Sequence, residues 1–134
     1  MDRTFAYFVV VGPGIPETIT SHLDIEPSET WNKGDPRVPG GSPLGFMKWV
    51  LNSGLSEDEP WNEHIDALAE LLEPRKTRLL SLPQGHESGI QCVAYYRSVN
   101  PGFALAPKTM ARIANLSLEL DFDIYCLGSA SSDA

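Results

Sequence analysis

The sequence predicts an α+β fold: a ferredoxin-like sandwich of two βαβ-type halves, with an extra hairpin and a long central helix between them. Three observations carry this reading. Strand-like and helix-like hydrophobic periods alternate along the whole chain. Two strands enter helices through matching turns, Pro13-Gly14-Ile15 and Pro101-Gly102-Phe103, as βαβ crossovers do. Between them, apolar residues recur at spacings of four, three and four in Trp61, Ile65, Leu68 and Leu72.

Each element follows from local chemistry. Residues 5–11 form an aromatic and β-branched run closed by Gly12, Pro13 and Gly14, which suits a central strand buried on both faces. Pro16 fits the first turn of a short helix whose stripe is Ile19, Leu23 and Ile15, and Glu26-Pro27 stops it. A strand then surrounds Trp31. Residues 34–43, GDPRVPGGSP, hold three glycines and three prolines in ten positions, so they form a loop rather than a regular element. Met47, Trp49 and Leu51 alternate with Lys48 and Asn52, predicting a half-buried strand that pairs with the Trp31 strand as a long-looped hairpin.

The central helix is predicted over 59–73, with Pro60 at its first helical position or Ser56 and Glu59 as a capping box. Pro74 disfavours helical geometry at Glu73, so residues 75–82 are a kinked continuation or a second short helix. Residues 90–97 alternate as a strand, and Asn100, Pro101 and Gly102 turn the chain. Pro107 opens a helix carrying Met110, Ile113, Ala114 and Leu116. In the last strand Leu118, Leu120, Phe122, Ile124 and Cys126 alternate with Glu119, Asp121, Asp123 and Tyr125. The reading is one domain over 1–127 and a disordered tail over 128–134.

Composition limits the functional classes. A chain of 134 residues buries about two thirds of the surface of its unfolded form, so no disulfide framework or structural metal is required. No apolar stretch is long enough to span a bilayer, and the first residues read as a strand rather than a secretory signal, which predicts a cytoplasmic protein with no membrane role. Cys92 and Cys126 lack CxxC spacing and are expected to be buried free thiols. Asp121 and Asp123 of the last strand, sharing the open sheet face with Tyr95 and Tyr125, would repel phosphates, which opposes binding to nucleic acid.

Several blocks, in this order, carry a resemblance: TWNKGDPR (30–37), SGLSEDEPWNEHIDALAELLEP (53–74), NPGFALAP (100–107) and LDFDIYC (120–126). Together they resemble the bacterial family catalogued as domain of unknown function 4279. That resemblance implies no established activity and no cofactor, so no catalytic residue is carried over. Its small single domains look similar to proteins encoded beside secreted toxins, which implies a toxin-neutralising, immunity-like role.

The residues themselves offer several candidate surfaces. Glu59, Glu63, Asp66, Glu70 and Glu73 form an acidic row about 200° around the helix axis from the apolar stripe. The row is either a solvated face or a docking strip for a basic protein partner, which would bind in a salt-sensitive way. On the last strand, Glu119, Asp121, Asp123 and Tyr125 share a face that joins Val93, Tyr95 and Arg97, an open sheet face on which Tyr95 and Tyr125 can meet a protein partner or a second copy in a homo-oligomer.

Asp121 and Asp123 are candidate ligands for calcium or magnesium, or members of a small enzyme site near the loop; ion pairing is the simpler account. Trp31, Lys33, Asp35 and Arg37 stand at the mouth of the irregular loop as a recognition element, with Trp31 as its anchor. His22, His64 and His86 show no zinc spacing, and Ser88 beside His86 lacks a nucleophile elbow. Gly12 and Gly14 resemble a phosphate-binding turn, from which Pro13 and Pro16 remove donors. The sum is a non-enzymatic interaction module.

Overall fold

The computed structural model describes residues 2–99 and 101–128. Asn100, assigned above to a turn, and the predicted tail beyond Gly128 lie outside the described residues. The elements in order are β1 (Arg3–Gly12), α1 (Pro16–Leu23), β2 (Glu29–Trp31), β3 (Met47–Asn52), α2 (Trp61–Leu72), a 3-10 turn (Glu73–Arg75), α3 (Lys76–Leu79), β4 (Glu87–Tyr96), α4 (Pro107–Asn115) and β5 (Leu120–Cys126).

The strands form one five-stranded sheet in the order β2-β3-β1-β4-β5. β3 and β4 both run antiparallel to β1, β2 is antiparallel to β3, and β5 is parallel to β4. The result is an α+β domain with a mixed open sheet. Of the two crossovers expected, β4-α4-β5 joins adjacent parallel strands. β1 and β2 also run the same way, but β3 lies between them, so that unit is split.

Strand parity decides where the core sits. Ala6, Phe8 and Val10 of β1, Met47, Trp49 and Leu51 of β3, and Ile90, Cys92 and Ala94 of β4 all point to one side and are buried. The helices close that side, contributing Ile19 and Leu23 of α1, Trp61, Ile65, Leu68, Ala69 and Leu72 of α2, and Ile113 of α4. Two tryptophans tie the layers together through their indole N–H groups, Trp49 donating to Thr20 Oγ1 at 3.0 Å and Trp61 to the Val93 carbonyl at 2.9 Å.

Several local expectations are corrected. β1 is buried on one face only, because its odd residues Phe5, Tyr7, Val9 and Val11 line the uncovered side and are half-exposed. Pro60 is the N-cap of α2 rather than its first helical residue, and Ser56 caps a turn at Asp58 instead of forming a capping box. Ile15 and Met110 are about half exposed, outside their expected stripes. Asp24 ends α1 in the left-handed conformation, φ 58°.

The last strand departs most. Phe122, Ile124 and Cys126 are exposed although their parity is that of the core, because β5 is the edge strand of the sheet among the described residues. Cys126 is therefore an exposed thiol, while Cys92 is buried and its proton affinity is pushed up to about 12 by burial.

Replacing Leu68 by Ala is expected to lower stability by about 3 kcal/mol, since it empties the fully buried centre of α2. The half-exposed Leu80→Ala should stay within about 0.5 kcal/mol of the parent. Urea unfolding of the two variants checks the contrast.

Candidate functional site

The acidic row and the open sheet face lie on opposite layers of the molecule. On the helical layer the row is broken up. Glu59 precedes α2, and Glu73 follows it in the 3-10 turn. Arg112 of α4 grips Glu73 with two bonds, Nη2 to Oε1 at 2.8 Å and Nε to Oε2 at 2.9 Å, and reaches Asp66 at 3.4 Å. Asp66 also accepts from Thr109 Oγ1 at 2.9 Å. The neighbouring guanidinium holds the Glu73 carboxyl below the usual range. Two of the five acids thus bind α4 to α2, and Glu63 and Glu70 remain as exposed carboxylates of the helix proper.

The open face holds the more developed constellation. The odd residues of β1 and β4 and their partners on β3 and β5 form rows across the sheet, among them Arg3-Tyr95-Tyr125 and Phe5-Val93-Asp123. Tyr95 and Tyr125 stack with centroids 4.8 Å apart and rings 12° from parallel, Phe5 stacks on Tyr95 at 6.4 Å, and the Arg3 guanidinium lies 4.8 Å over the Tyr95 ring. The paired tyrosines expected from parity are thus real neighbours. Arg3 is fixed by Glu57, Nε to Oε1 at 2.7 Å.

Two adjoining hollows run across this face. One, of about 390 Å³, lies between Phe5, Tyr7, Glu29, Trp31, Lys48 and Glu57; the other, of about 230 Å³, between Tyr7, Gln91, Tyr95, Asp123 and Tyr125. Tyr7, Arg37 and Lys48 border both. Arg37 reaches there from the irregular loop, which is held by the Gly34 N–H on the Leu44 carbonyl, the Leu44 N–H on the Asp35 carbonyl and a Pro36–Pro43 bridge.

The electrostatics of this groove follow from burial. Lys48 is half-buried, and loss of solvent, assisted by the nearby Arg37, lowers its proton affinity, with Asp123 opposing the shift. Burial also raises the Tyr7 phenol. Among the described residues neither Lys48 nor Arg37 makes a salt bridge. Two cations therefore share one aromatic groove with Glu29, Glu57 and Asp123, and among the described residues none of these carboxylates closes a salt bridge to either cation.

Of the loop residues singled out from sequence, Arg37 and Trp31 reach the groove. Asp35 is used within the turn, accepting from the Asn32 N–H at 2.9 Å, and Lys33 is exposed away from it. Asp123 accepts from Gln91 Nε2 at 2.7 Å, while Asp121 borders a separate shallow hollow with Val9 and Glu87. No group of three or more metal-ligating side chains is gathered among the described residues.

Sequence reasoning missed Lys48 and Tyr7, whose parity with Phe5 and Trp31 was legible but whose convergence under Arg37 depends on the loop. It also missed a pairing of Ser53 with His64, in which the hydroxyl meets Nδ1 at 2.5 Å. His64 is buried, Nε2 has no hydrogen-bond partner, and the Ser53 hydroxyl also accepts from the Leu55 N–H. Among the described residues no carboxylate bonds this ring as one does in a catalytic triad, and the contact links the end of β3 to α2.

The model of a family described as a domain of unknown function, DUF4279, matches residues 2–127. No curated protein matches the chain, and no solved structure matches it. No helix among the described residues is long and apolar enough to cross a membrane.

Burial lowers the proton affinity of His64 from the ordinary 6.5. The folded state then binds the proton less readily than the unfolded chain, so this contribution to stability is complete above pH 6.5 and is lost as pH falls from there through the folded-state value. Urea unfolding at pH 7.5 and 5.5 should show a drop for the parent protein that is smaller in His64→Gln. An equal drop in both would contradict this account.

Proposed function

We propose that this chain, which belongs to the DUF4279 family of domains of unknown function, is a non-catalytic interaction module that holds a polypeptide segment in the groove of its open sheet face. We also read β2-β3-β1-β4, with neighbours antiparallel throughout, as a ferredoxin-like sandwich to which α4 and β5 add an edge. Helices cover one side of such a sheet, and its other side is free for a ligand.

One observation supports the choice of face: half-buried Lys48 and loop-borne Arg37 share an aromatic groove and carry no salt bridge among the described residues. A buried or half-buried cation is stabilised by an anion that shares its loss of solvent. The segment that fits therefore offers an Asp or Glu carboxylate to Arg37 and Lys48, and lays an aromatic or aliphatic side chain against Tyr7 and the Tyr95–Tyr125 stack. Glu29 and Asp123 line the same hollows without closing a salt bridge to Arg37 or Lys48 among the described residues, so the two cations give register to an approaching chain.

A second reading, an immunity-like module that neutralises a basic partner, rests on the exposed Glu63 and Glu70. It is the weaker of the two, because Arg112 occupies Asp66 and Glu73.

Peptide display on the immobilised protein tests the first reading. Enriched peptides should carry Asp or Glu beside a large apolar residue, Lys48→Met should weaken the best of them about tenfold, and the exposed Arg37→Glu should shift selection towards Lys and Arg. A library that shows no enrichment over a bare surface, or one whose winners are indifferent to both substitutions, would contradict it.

A further inference from the structure

We infer that β5 is a self-pairing edge, through which two copies of this chain join their sheets antiparallel about a two-fold axis near Ile124. This goes beyond the groove reading and does not depend on it. The Leu127 N–H donates to the Tyr96 carbonyl at 2.7 Å, and the Glu119 carbonyl accepts from the Ile90 N–H at 2.9 Å. Odd residues of β5 therefore turn their backbone groups to β4. Leu120, Phe122, Ile124 and Cys126 turn theirs outward, and among the described residues β4 is the only strand beside β5.

Natural sheets protect such an edge with proline, charged side chains and lysine above all, a bulge or a very short strand; the charges of β5 are Asp121 and Asp123, both on the open face. The other edge, β2, follows the rule with three residues. β5 runs for seven residues without proline or lysine, and exposes Phe122, Ile124, Tyr125 and the adjoining Leu127 by 41–48%. A row of backbone groups unpaired among the described residues, flanked by Phe122 and Ile124 on the helix side and by Asp121, Asp123 and Tyr125 on the open face, is satisfied by another strand rather than by a compact ligand.

The sequence of β5 is compatible with itself in the antiparallel register centred on Ile124. With Ile124 opposite the partner's Ile124, hydrogen-bonded pairs form at outward-turned residues, and Phe122 falls opposite the partner's Cys126 on the helix side. On the open face Asp123 meets the partner's Tyr125. Asp121 meets the partner's Leu127, whose carbonyl holds Arg97 at 3.1 Å, so an acid approaches a cation. The neighbouring register, centred on Asp123, sets two aspartates directly opposite one another and is disfavoured. Such an interface is isologous and closes at two copies, giving a continuous ten-stranded sheet.

Because each copy carries a charge of −8, long-range repulsion opposes the dimer and salt screens it. Self-pairing thus strengthens with ionic strength, whereas docking of a basic partner weakens. Light scattering after gel filtration, over a concentration series at low and moderate salt, should show the mass rising from 14.7 kDa towards twice that value, further at the higher salt. Ile124→Lys, at a half-exposed position, should stay monomeric with an unchanged melting temperature. Phe122→Cys should yield a disulfide-linked dimer on mild oxidation with oxidised glutathione, which Cys126→Ser prevents. A constant mass of one copy would overturn the proposal. So would a dimer that survives Ile124→Lys, including one that is instead abolished by Tyr95→Asp on the sheet face.

Discussion

One constraint shapes everything else: Ala6, Phe8 and Val10 of β1, Met47, Trp49 and Leu51 of β3, and Ile90, Cys92 and Ala94 of β4 all face the same way, so a single layer of helices buries them and the opposite side of the sheet is left without a covering layer. Ala6, Phe8 and Val10 sit in register with Trp49 and Leu51 on one side and with Ser88, Ile90 and Cys92 on the other. α2 crosses above β1 and supplies the bulk of the covering layer. Trp49 and Trp61 can be buried there because each finds an acceptor, Thr20 and the Val93 carbonyl. The open face exists because the polar and aromatic parity of the same strands had nowhere else to go.

Once one face is left open, the irregular loop gains a role. Ordered by Asp35, Gly34 and Leu44, it delivers Arg37 over the sheet, where Lys48 and Tyr7 already stand. Removing Lys48 from water without a bound carboxylate is costly, and its lowered proton affinity records that cost. The acidic face of α2 has the reverse history. Its excess of like charge is relieved within the fold by Arg112, which makes Asp66 and Glu73 part of the α2–α4 contact rather than part of a surface.

Much of this was legible in the sequence, and the physical reasons divide cleanly. Local periodicity placed the long strands and the central helix, because the rise of a strand and the turn of a helix are short-range properties: the Met47-Trp49-Leu51 alternation and the Trp61-Ile65-Leu68-Leu72 stripe both lie in the core. Parity also paired Tyr95 with Tyr125. What periodicity could not give was which strand stands at an edge. Phe122, Ile124 and Cys126 read as core, yet are exposed because no strand lies beyond β5 among the described residues. Nor does spacing along one helix reveal a cation that arrives from another, as Arg112 does. The Arg37-Lys48-Tyr7 meeting and the Ser53–His64 pair likewise depend on tertiary approach across many residues of chain.

Hydroxyl-radical footprinting of the isolated protein in dilute solution tests the one-sided sheet most directly, because tryptophan and tyrosine report both layers at once. A sheet covered on one side only should show ready oxidation of Trp31 and Tyr125 with protection of Trp49 and Trp61. Protection of Trp31 and Tyr125 to the level of Trp49 would mean that the face is covered, and the groove with its paired cations would not be available to any partner.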